Sequence, residues 1–122
     1  MLQIVENARL KELNSFGLDV TAKQLCIYHS PDDIRQLIEQ TGGIVGKRIL
    51  ILGGGCNLVF VNNFDGLVIH PANSYISIVS ETDDCCLVKA GAGTVWDSFV
   101  EWAVEHNLGG IENLSLIPGT VG

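Results

Sequence analysis

The sequence has few basic residues. Seven lysines and arginines stand against fourteen aspartates and glutamates, which gives a formal net charge of −7. The cations are scattered, and Lys47-Arg48 is their only adjacent pair. Because nucleic-acid binding needs a basic stripe that neutralises phosphates, we expect no nucleic-acid partner. A phosphate ligand would have to depend largely on backbone N–H groups.

The sequence also has no long apolar run. None approaches the roughly 20 residues that a membrane helix needs, so we expect no membrane partner. The amino-terminal stretch MLQIVENARLKEL carries charge too early and too often for a signal peptide. A chain of 122 residues with 47% hydrophobic residues fits one packed domain. We therefore expect a soluble, cytoplasmic protein.

Cysteine pairs with metal-ligand spacing are absent. The four cysteines, Cys26, Cys56, Cys85 and Cys86, contain no C-x-x-C pattern. This spacing argues against a zinc site. Free and mostly buried thiols in a reducing compartment are the expectation.

The apolar pattern predicts an α+β fold. Strands are predicted at residues 24–28 and 48–52, with a helix between them that Ser30 caps and Gly42-Gly43 ends. A strand, a helix and a strand over about 30 residues are typical of a βαβ unit. The next predicted elements are strands at 58–61 and 67–70 with a turn at 62–66 between them. Residues 75–80 and 85–91 predict an antiparallel hairpin or meander, and residues 94–107 a helix with a capping box from Thr94 to Asp97.

Three glycines follow an apolar run in ILILGGGCNLVFV, residues 49–61. This is not a P-loop, because no lysine follows the glycines closely. It is not the Rossmann fingerprint G-x-G-x-x-G either, since Leu58 stands at the third glycine and no helix is predicted after it. A second candidate for the Rossmann fingerprint begins at residues 91–93. There Trp96 replaces the third glycine, and its large side chain would block the close helix–strand packing that this glycine permits.

What remains is a glycine loop between two β segments. Glycines at positive φ let several N–H groups approach one point, and such a nest binds anions without a formal positive charge. Each hydrogen bond to a charged phosphate contributes roughly 1.5–3 kcal/mol. Asn57 would either donate to the anion or cap the turn internally. A tight turn with nothing bound is the alternative, and the loop alone does not decide between them.

Three stretches together resemble the bacterial UDP-N-acetylenolpyruvoylglucosamine reductases. They are NSFG at 14–17, ILGGGCNLVFVNNFDGLVIH at 51–70 and AGAGTVWDSFVEWAVEHNLGGIENLSLIPGTVG at 90–122. The combination of N-[ST]-F-G, G-G-G-x-N-L and L-x-x-I-P-G-T-V-G is specific and runs along nearly the whole chain. The resemblance implies the FAD-binding fold shared by the vanillyl-alcohol-oxidase class. We expect a small βαβ subdomain at 1–72 and the start of a second subdomain, with antiparallel strands and a helix, at 73–122.

The resemblance implies that FAD lies between the two subdomains. The cofactor-binding residues it implies are Gly53, Gly54, Gly55, Cys56, Asn57 and Leu58 at the pyrophosphate, Gly91 and Gly93 at the border of the cleft, and Ile117, Pro118, Gly119, Thr120, Val121 and Gly122 near the flavin. Cys56 stands where the family usually has Ser or Thr, so one hydroxyl contact to phosphate is weakened. The resemblance assigns no catalytic residue and no metal ligand to this chain.

In the family, NADPH reduces the flavin, and the flavin reduces the enolpyruvyl group of the UDP-sugar to give UDP-N-acetylmuramate for peptidoglycan synthesis. The resemblance implies that the catalytic acid and the substrate domain lie beyond Gly122. We therefore expect no reductase activity from residues 1–122 alone, and self-association through an uncovered apolar surface. Two alternatives stay open: another flavin oxidase or dehydrogenase of the same fold, and a non-enzymatic nucleotide-binding or interaction module.

Overall fold

The structure is a computed structural model that describes residues 2–122. Within these residues the strands are β1 (Ile4–Arg9), β2 (Thr21–Tyr28), β3 (Ile49–Ile51), β4 (Phe64–Pro71), β5 (Ile76–Glu81) and β6 (Cys86–Ala90). The α-helices are α1 (Pro31–Gln40) and α2 (Trp96–Glu105), and single 3-10 turns lie at Lys11–Leu13 and Glu112–Leu114. Neither α-helix is long and apolar enough to cross a membrane.

The first sheet has the strand order β1-β2-β4-β3. Strands β2, β4 and β3 run parallel, and β1 pairs antiparallel at the edge of β2. The predicted βαβ unit is therefore present as β2, α1 and β3, with β4 inserted between its two strands. Strand β1 was not predicted because it buries only Ala8 and shows no clear alternation.

Both faces of this sheet are covered. On β4, Val68 belongs to one apolar cluster, whereas Leu67 and Ile69 belong to another that includes Leu37 of α1. Successive residues of a strand point to opposite faces, so β4 contributes to a core on each side. Parallel strands buried on both faces explain the nearly continuous apolar run LVI in the sequence.

Helix α1 begins as its sequence predicts. The Ser30 side chain accepts a hydrogen bond from the Asp33 N–H, and the Asp33 carboxylate accepts from the N–H groups of His29 and Ser30. These bonds hold the pKa of Asp33 below its usual value, and the bond from the His29 N–H has the largest effect. The helix start is thus fixed by local interactions alone.

The prediction of a strand at 58–61 is wrong. The chain leaves β3 after Ile51 and reaches β4 at Phe64 through an irregular segment. Because β3 and β4 are parallel neighbours, the chain must cross from the carboxyl end of one to the amino end of the other, which a hairpin cannot do. The glycine loop therefore lies in this crossing, and residues 64–66 of the predicted turn belong to β4.

The second sheet is an antiparallel hairpin of β5 and β6, which is one of the two arrangements that the sequence predicts. The capping box predicted at the start of α2 is wrong, since the helix begins at Trp96 without a side-chain cap. The Thr94 hydroxyl instead donates to the Tyr75 carbonyl oxygen, and the Asp97 carboxylate accepts from the Leu116 N–H at 2.6 Å. Tertiary partners have replaced the local ones.

The subdomain boundary expected between residues 72 and 73 stays a prediction.

All four thiols are free, but the expectation that most are buried is wrong. Cys26 is buried, Cys56 and Cys86 are half-buried, and Cys85 is exposed. Burial raises the pKa of the Cys26 thiol, which is therefore an unreactive core residue.

Candidate functional site

The glycine loop starts at the carboxyl end of a parallel strand. The Leu52 N–H donates to the Ile69 carbonyl oxygen at 2.9 Å, so the ladder between β3 and β4 continues one residue past β3. At Gly53 the backbone pairing stops and the chain leaves the sheet. In open α/β sheets, ligands bind outside the carboxyl ends of the strands.

Three glycine-containing segments meet at this end of the sheet. A Cβ on Gly53 would lie 2.7 Å from the carbonyl oxygen of Gly122, and one on Gly54 would lie 3.2 Å from the Cα of Gly119. A Cβ on Gly122 would lie 2.8 Å from that of Ala92. The structure therefore brings residues 53–54, 91–93 and 119–122 into backbone-to-backbone contact, as a shared site would require.

Backbone hydrogen bonds hold the last of these segments in place. The N–H groups of Val121 and Gly122 donate to the carbonyl oxygens of Thr94 and Ala92, at 2.9 and 3.0 Å. The Trp96 N–H donates to the Gly119 carbonyl oxygen at 3.0 Å. Residues 119–122 are thus fixed against the segment that leads into α2. Ile117 and Pro118 precede them and are exposed.

The backbone amides of residues 53–57 are the chemical feature of the loop. Within the described chain, none of these five N–H groups donates a hydrogen bond to a protein acceptor. Gly54 and Asn57 are exposed, Gly53 and Cys56 are half-buried, and only Gly55 is buried. Because backbone amides are strong donors that native structures pair, a run of free amides at mostly accessible residues is suited to an anionic ligand.

The three glycines serve different purposes. Only Gly55 has a positive φ, of +62°, so the expectation of a left-handed turn holds for one glycine of the three. Gly53 and Gly54 are needed because other backbone segments approach them closely. Gly91 and Gly93 also permit close approach, since their Cβ positions lie 2.1 Å from the Asn73 carbonyl oxygen and 2.7 Å from that of Pro71.

The side chains beside the glycines make few contacts. The Cys56 thiol donates to the Gly54 carbonyl oxygen at 3.4 Å, so it is directed into the loop. The Asn57 side chain is exposed and makes no hydrogen bond to residues 2–122, which excludes the internal cap considered from the sequence. Leu58 is half-buried and packs against the core cluster around Leu52.

A neighbouring turn supports the loop, and sequence reasoning missed its role. Asn14 is buried, with 6% of its surface exposed. Its Nδ2 donates to the carbonyl oxygens of Leu10 and Leu18 at 2.8 and 3.1 Å, and its Oδ1 accepts from the Leu18 N–H at 2.9 Å. In the sequence, only the resemblance indicates the motif NSFG. A buried asparagine that closes a turn before a glycine is the physical signal it carries.

The supported turn contacts the glycine loop directly. The Ser15 N–H donates to the Gly55 carbonyl oxygen at 3.0 Å. A Cβ on Gly55 would lie 2.1 Å from the Leu13 carbonyl oxygen and 2.8 Å from the Asn14 Cα. Asn14 therefore fixes the surface on which the glycine loop rests.

Two open cavities lie elsewhere, on the second part of the chain. One, of about 560 Å³, lies between the β5–β6 turn and the end of α2, and the other, of about 480 Å³, lies between α2 and residues 112–116. No residue of the expected cofactor site lines either cavity. We place the candidate site at the glycine segments because free amides and close backbone packing coincide there.

Comparison with known proteins decides the family. The model of the FAD binding domain matches residues 22–122. The chain belongs to this FAD-binding family. The match confirms FAD as the cofactor and the α+β FAD-binding fold as the fold class.

Named relatives cover most or nearly all of this chain. It is 45% identical over 109 residues to a UDP-N-acetylenolpyruvoylglucosamine reductase of Bacteroides fragilis, which covers 89% of this chain and 32% of the relative. It is 42% identical over 121 residues to the enzyme of that name from Pseudomonas aeruginosa, covering 99% of this chain and 35% of the relative. The chain therefore spans about a third of the length of these curated relatives.

A solved structure confirms the fold. The crystal structure of the UDP-N-acetylenolpyruvylglucosamine reductase from Thermus caldophilus superposes with a TM-score of 0.66 at 22% identity. The superposition covers 100% of this FAD-binding domain and 40% of that chain.

The residues of the glycine loop fit the cofactor. FAD carries a diphosphate, and the loop offers five amides without a protein acceptor. A Cβ at Gly53 or Gly54 would press against residues 119–122, so these two glycines allow the loop to pack against that segment. The run of free donors is the feature that suits the diphosphate.

Proposed function

We propose that the chain is the FAD-binding part of a UDP-N-acetylenolpyruvoylglucosamine reductase, an NADPH-dependent enzyme of peptidoglycan precursor synthesis in the cytoplasm. The relatives from Bacteroides fragilis and Pseudomonas aeruginosa support this proposal, because enzymes with this name match 89% and 99% of the chain. These relatives are longer proteins, and the chain spans about a third of their length. The UDP-sugar is the substrate of the complete enzyme only. We also propose that this chain self-associates through exposed apolar side chains such as Val79, Leu87 and Leu116.

The single observation that carries the binding role is the run of free amides at 53–57. We assign the FAD diphosphate to the loop Gly53, Gly54, Gly55, Cys56, Asn57 and Leu58, the flavin to Ile117, Pro118, Gly119, Thr120, Val121 and Gly122, and the cleft border to Gly91 and Gly93. When bound, FAD supplies hydride transfer, from NADPH to the enolpyruvyl double bond. The chain's own residues bind and orient the cofactor, and none of them is assigned as the proton donor.

Neutral donors suit the electrostatics of this chain. Its net charge of −7 repels a diphosphate at long range. The binding energy must therefore come from short-range hydrogen bonds, each of roughly 1.5–3 kcal/mol for a charged acceptor. Two or three such bonds would hold the diphosphate without lysine or arginine.

Replacing Gly54 with valine tests the assignment of the diphosphate loop. Its Cβ would lie 3.2 Å from both the Cys56 Sγ and the Gly119 Cα, so the valine methyl groups would occupy space between the loop and residues 119–122. We expect loss of at least two amide–phosphate bonds and a rise in the FAD dissociation constant of about 100-fold or more. A titration of the 122-residue chain with FAD, followed by flavin fluorescence, measures it.

The matched control is Gly109→Val. Gly109 is exposed, its φ is not positive, and the nearest atom to its Cβ position is the Glu112 Oε2 at 4.0 Å. This variant should bind FAD as the unmodified chain does. Unchanged FAD affinity in Gly54→Val would move the site away from the loop, and no FAD binding by the unmodified chain would remove the proposed function.

A further inference from the structure

His70 lies beside the point where the glycine loop leaves the sheet. It is the residue before the last in β4, and its ring Nδ1 lies 2.8 Å from the Leu52 carbonyl oxygen. A carbonyl oxygen only accepts hydrogen bonds, so Nδ1 carries the hydrogen and donates it. His70 is half-buried on the same side of β4 as Val68, whose cluster also includes Leu52.

This hydrogen bond is the last anchor before the free amides. The Leu52 N–H donates to Ile69, and the Leu52 carbonyl oxygen accepts from His70, so two successive peptide groups are tied to β4. The next five N–H groups, starting with that of Gly53, have no acceptor in residues 2–122. The imidazole thus marks the boundary between the fixed strand and the binding loop.

The anchor acts on the first free amide through one peptide group. The carbonyl of Leu52 and the N–H of Gly53 belong to the same planar unit. Fixing the oxygen fixes the plane, and therefore the direction of the Gly53 N–H. A hydrogen bond accepted by the oxygen also polarises the unit and makes its N–H a stronger donor.

We propose that His70 is a positioning residue for the FAD diphosphate, acting through the Leu52–Gly53 peptide group. This inference rests on the proposed function, since it needs the diphosphate at the loop. The ring itself need not touch the cofactor. A histidine that served only the packing of β4 would stabilise the fold without changing the affinity for FAD.

Three substitutions separate the two roles. In His70→Asn the amide nitrogen lies the same number of bonds from the backbone as Nδ1, so it retains the donor to Leu52. In His70→Gln the amide donor lies one bond further from the backbone than Nδ1. In His70→Leu the side chain fills part of the space of the imidazole but has no donor for the Leu52 carbonyl oxygen. We expect Leu and Gln to raise the FAD dissociation constant about three- to tenfold, as loss of one hydrogen bond implies, and Asn to stay within about twofold of the unmodified chain.

The readouts are FAD titration by flavin fluorescence and the melting temperature without FAD. Restoration of affinity by Asn but not by Gln supports the proposal, whatever the melting temperatures. Equal FAD affinity in the unmodified chain and the three variants overturns the proposal for His70. So does an Asn variant that binds FAD no more tightly than the Leu variant. Neither result affects the assignment of the diphosphate to the loop at 53–57. If the unmodified chain binds no FAD, the proposed function and this inference fail together.

Discussion

Gly55→Ala is expected to destabilise the fold by on the order of 3 kcal/mol or more and to abolish measurable FAD binding. A φ of +62° costs a residue with a side chain about 1–2 kcal/mol. The new Cβ would also lie 2.1 Å from the Leu13 carbonyl oxygen, a backbone atom that cannot rotate away. The loop must move, and the hydrogen bond from Ser15 to Gly55, worth about 1 kcal/mol, is lost. Urea unfolding gives the first quantity and flavin fluorescence the second.

Gly46→Ala separates the two causes. Gly46 also has a positive φ, of +75°, but no atom lies within 4 Å of its Cβ position. This variant should show the backbone strain alone, a loss of about 1–2 kcal/mol, with FAD affinity unchanged. Equal losses of stability in the two variants would mean that close packing of residues 13–14 against Gly55 contributes nothing.

Asn14→Ala is expected to lower the free energy of unfolding by about 2–4 kcal/mol. The substitution removes three hydrogen bonds of a buried side chain, each with a net contribution of about 1 kcal/mol, and leaves the half-buried Leu18 N–H without an acceptor. Because this turn supports Gly55, FAD affinity should fall as well. Urea unfolding followed by circular dichroism is the measurement.

The control for Asn14 is Asn113→Ala, at an exposed asparagine whose side chain makes no hydrogen bond to residues 2–122. A change within about 0.5 kcal/mol is expected there. If Asn14→Ala loses no more stability than this control, the turn at 10–18 does not depend on its asparagine.

Local signals explain what the sequence predicted correctly. Helix α1 has its cap, its first-turn acids and its terminating glycines within residues 30–43, so nothing distant decides where it begins. The β5–β6 hairpin likewise depends on neighbouring residues. The strand expected at 58–61 failed because the parallel order of β3 and β4, a tertiary property, requires a crossing segment there. The cap at Thr94 failed because Tyr75, far away in sequence, takes its hydroxyl.

In the candidate site, too, the features that depend on local sequence were predictable and those that depend on tertiary contacts were not. Free amides in a glycine loop follow from composition and spacing, so residues 53–57 were foreseeable. The reasons for the individual glycines were not, because Leu13, Gly119 and Gly122 approach them only in the folded chain. The same holds for Asn14 and His70, whose side chains bind backbone groups that no local pattern indicates.

The most direct test concerns the amides themselves. In a chain labelled with ¹⁵N, saturation with FAD should shift the amide resonances of residues 53–57 well beyond the average of the chain. Riboflavin, which carries the same ring system and no phosphate, should leave them nearly unchanged. Resonances at 53–57 that stay in place at FAD saturation, while those of another segment move, would contradict the account.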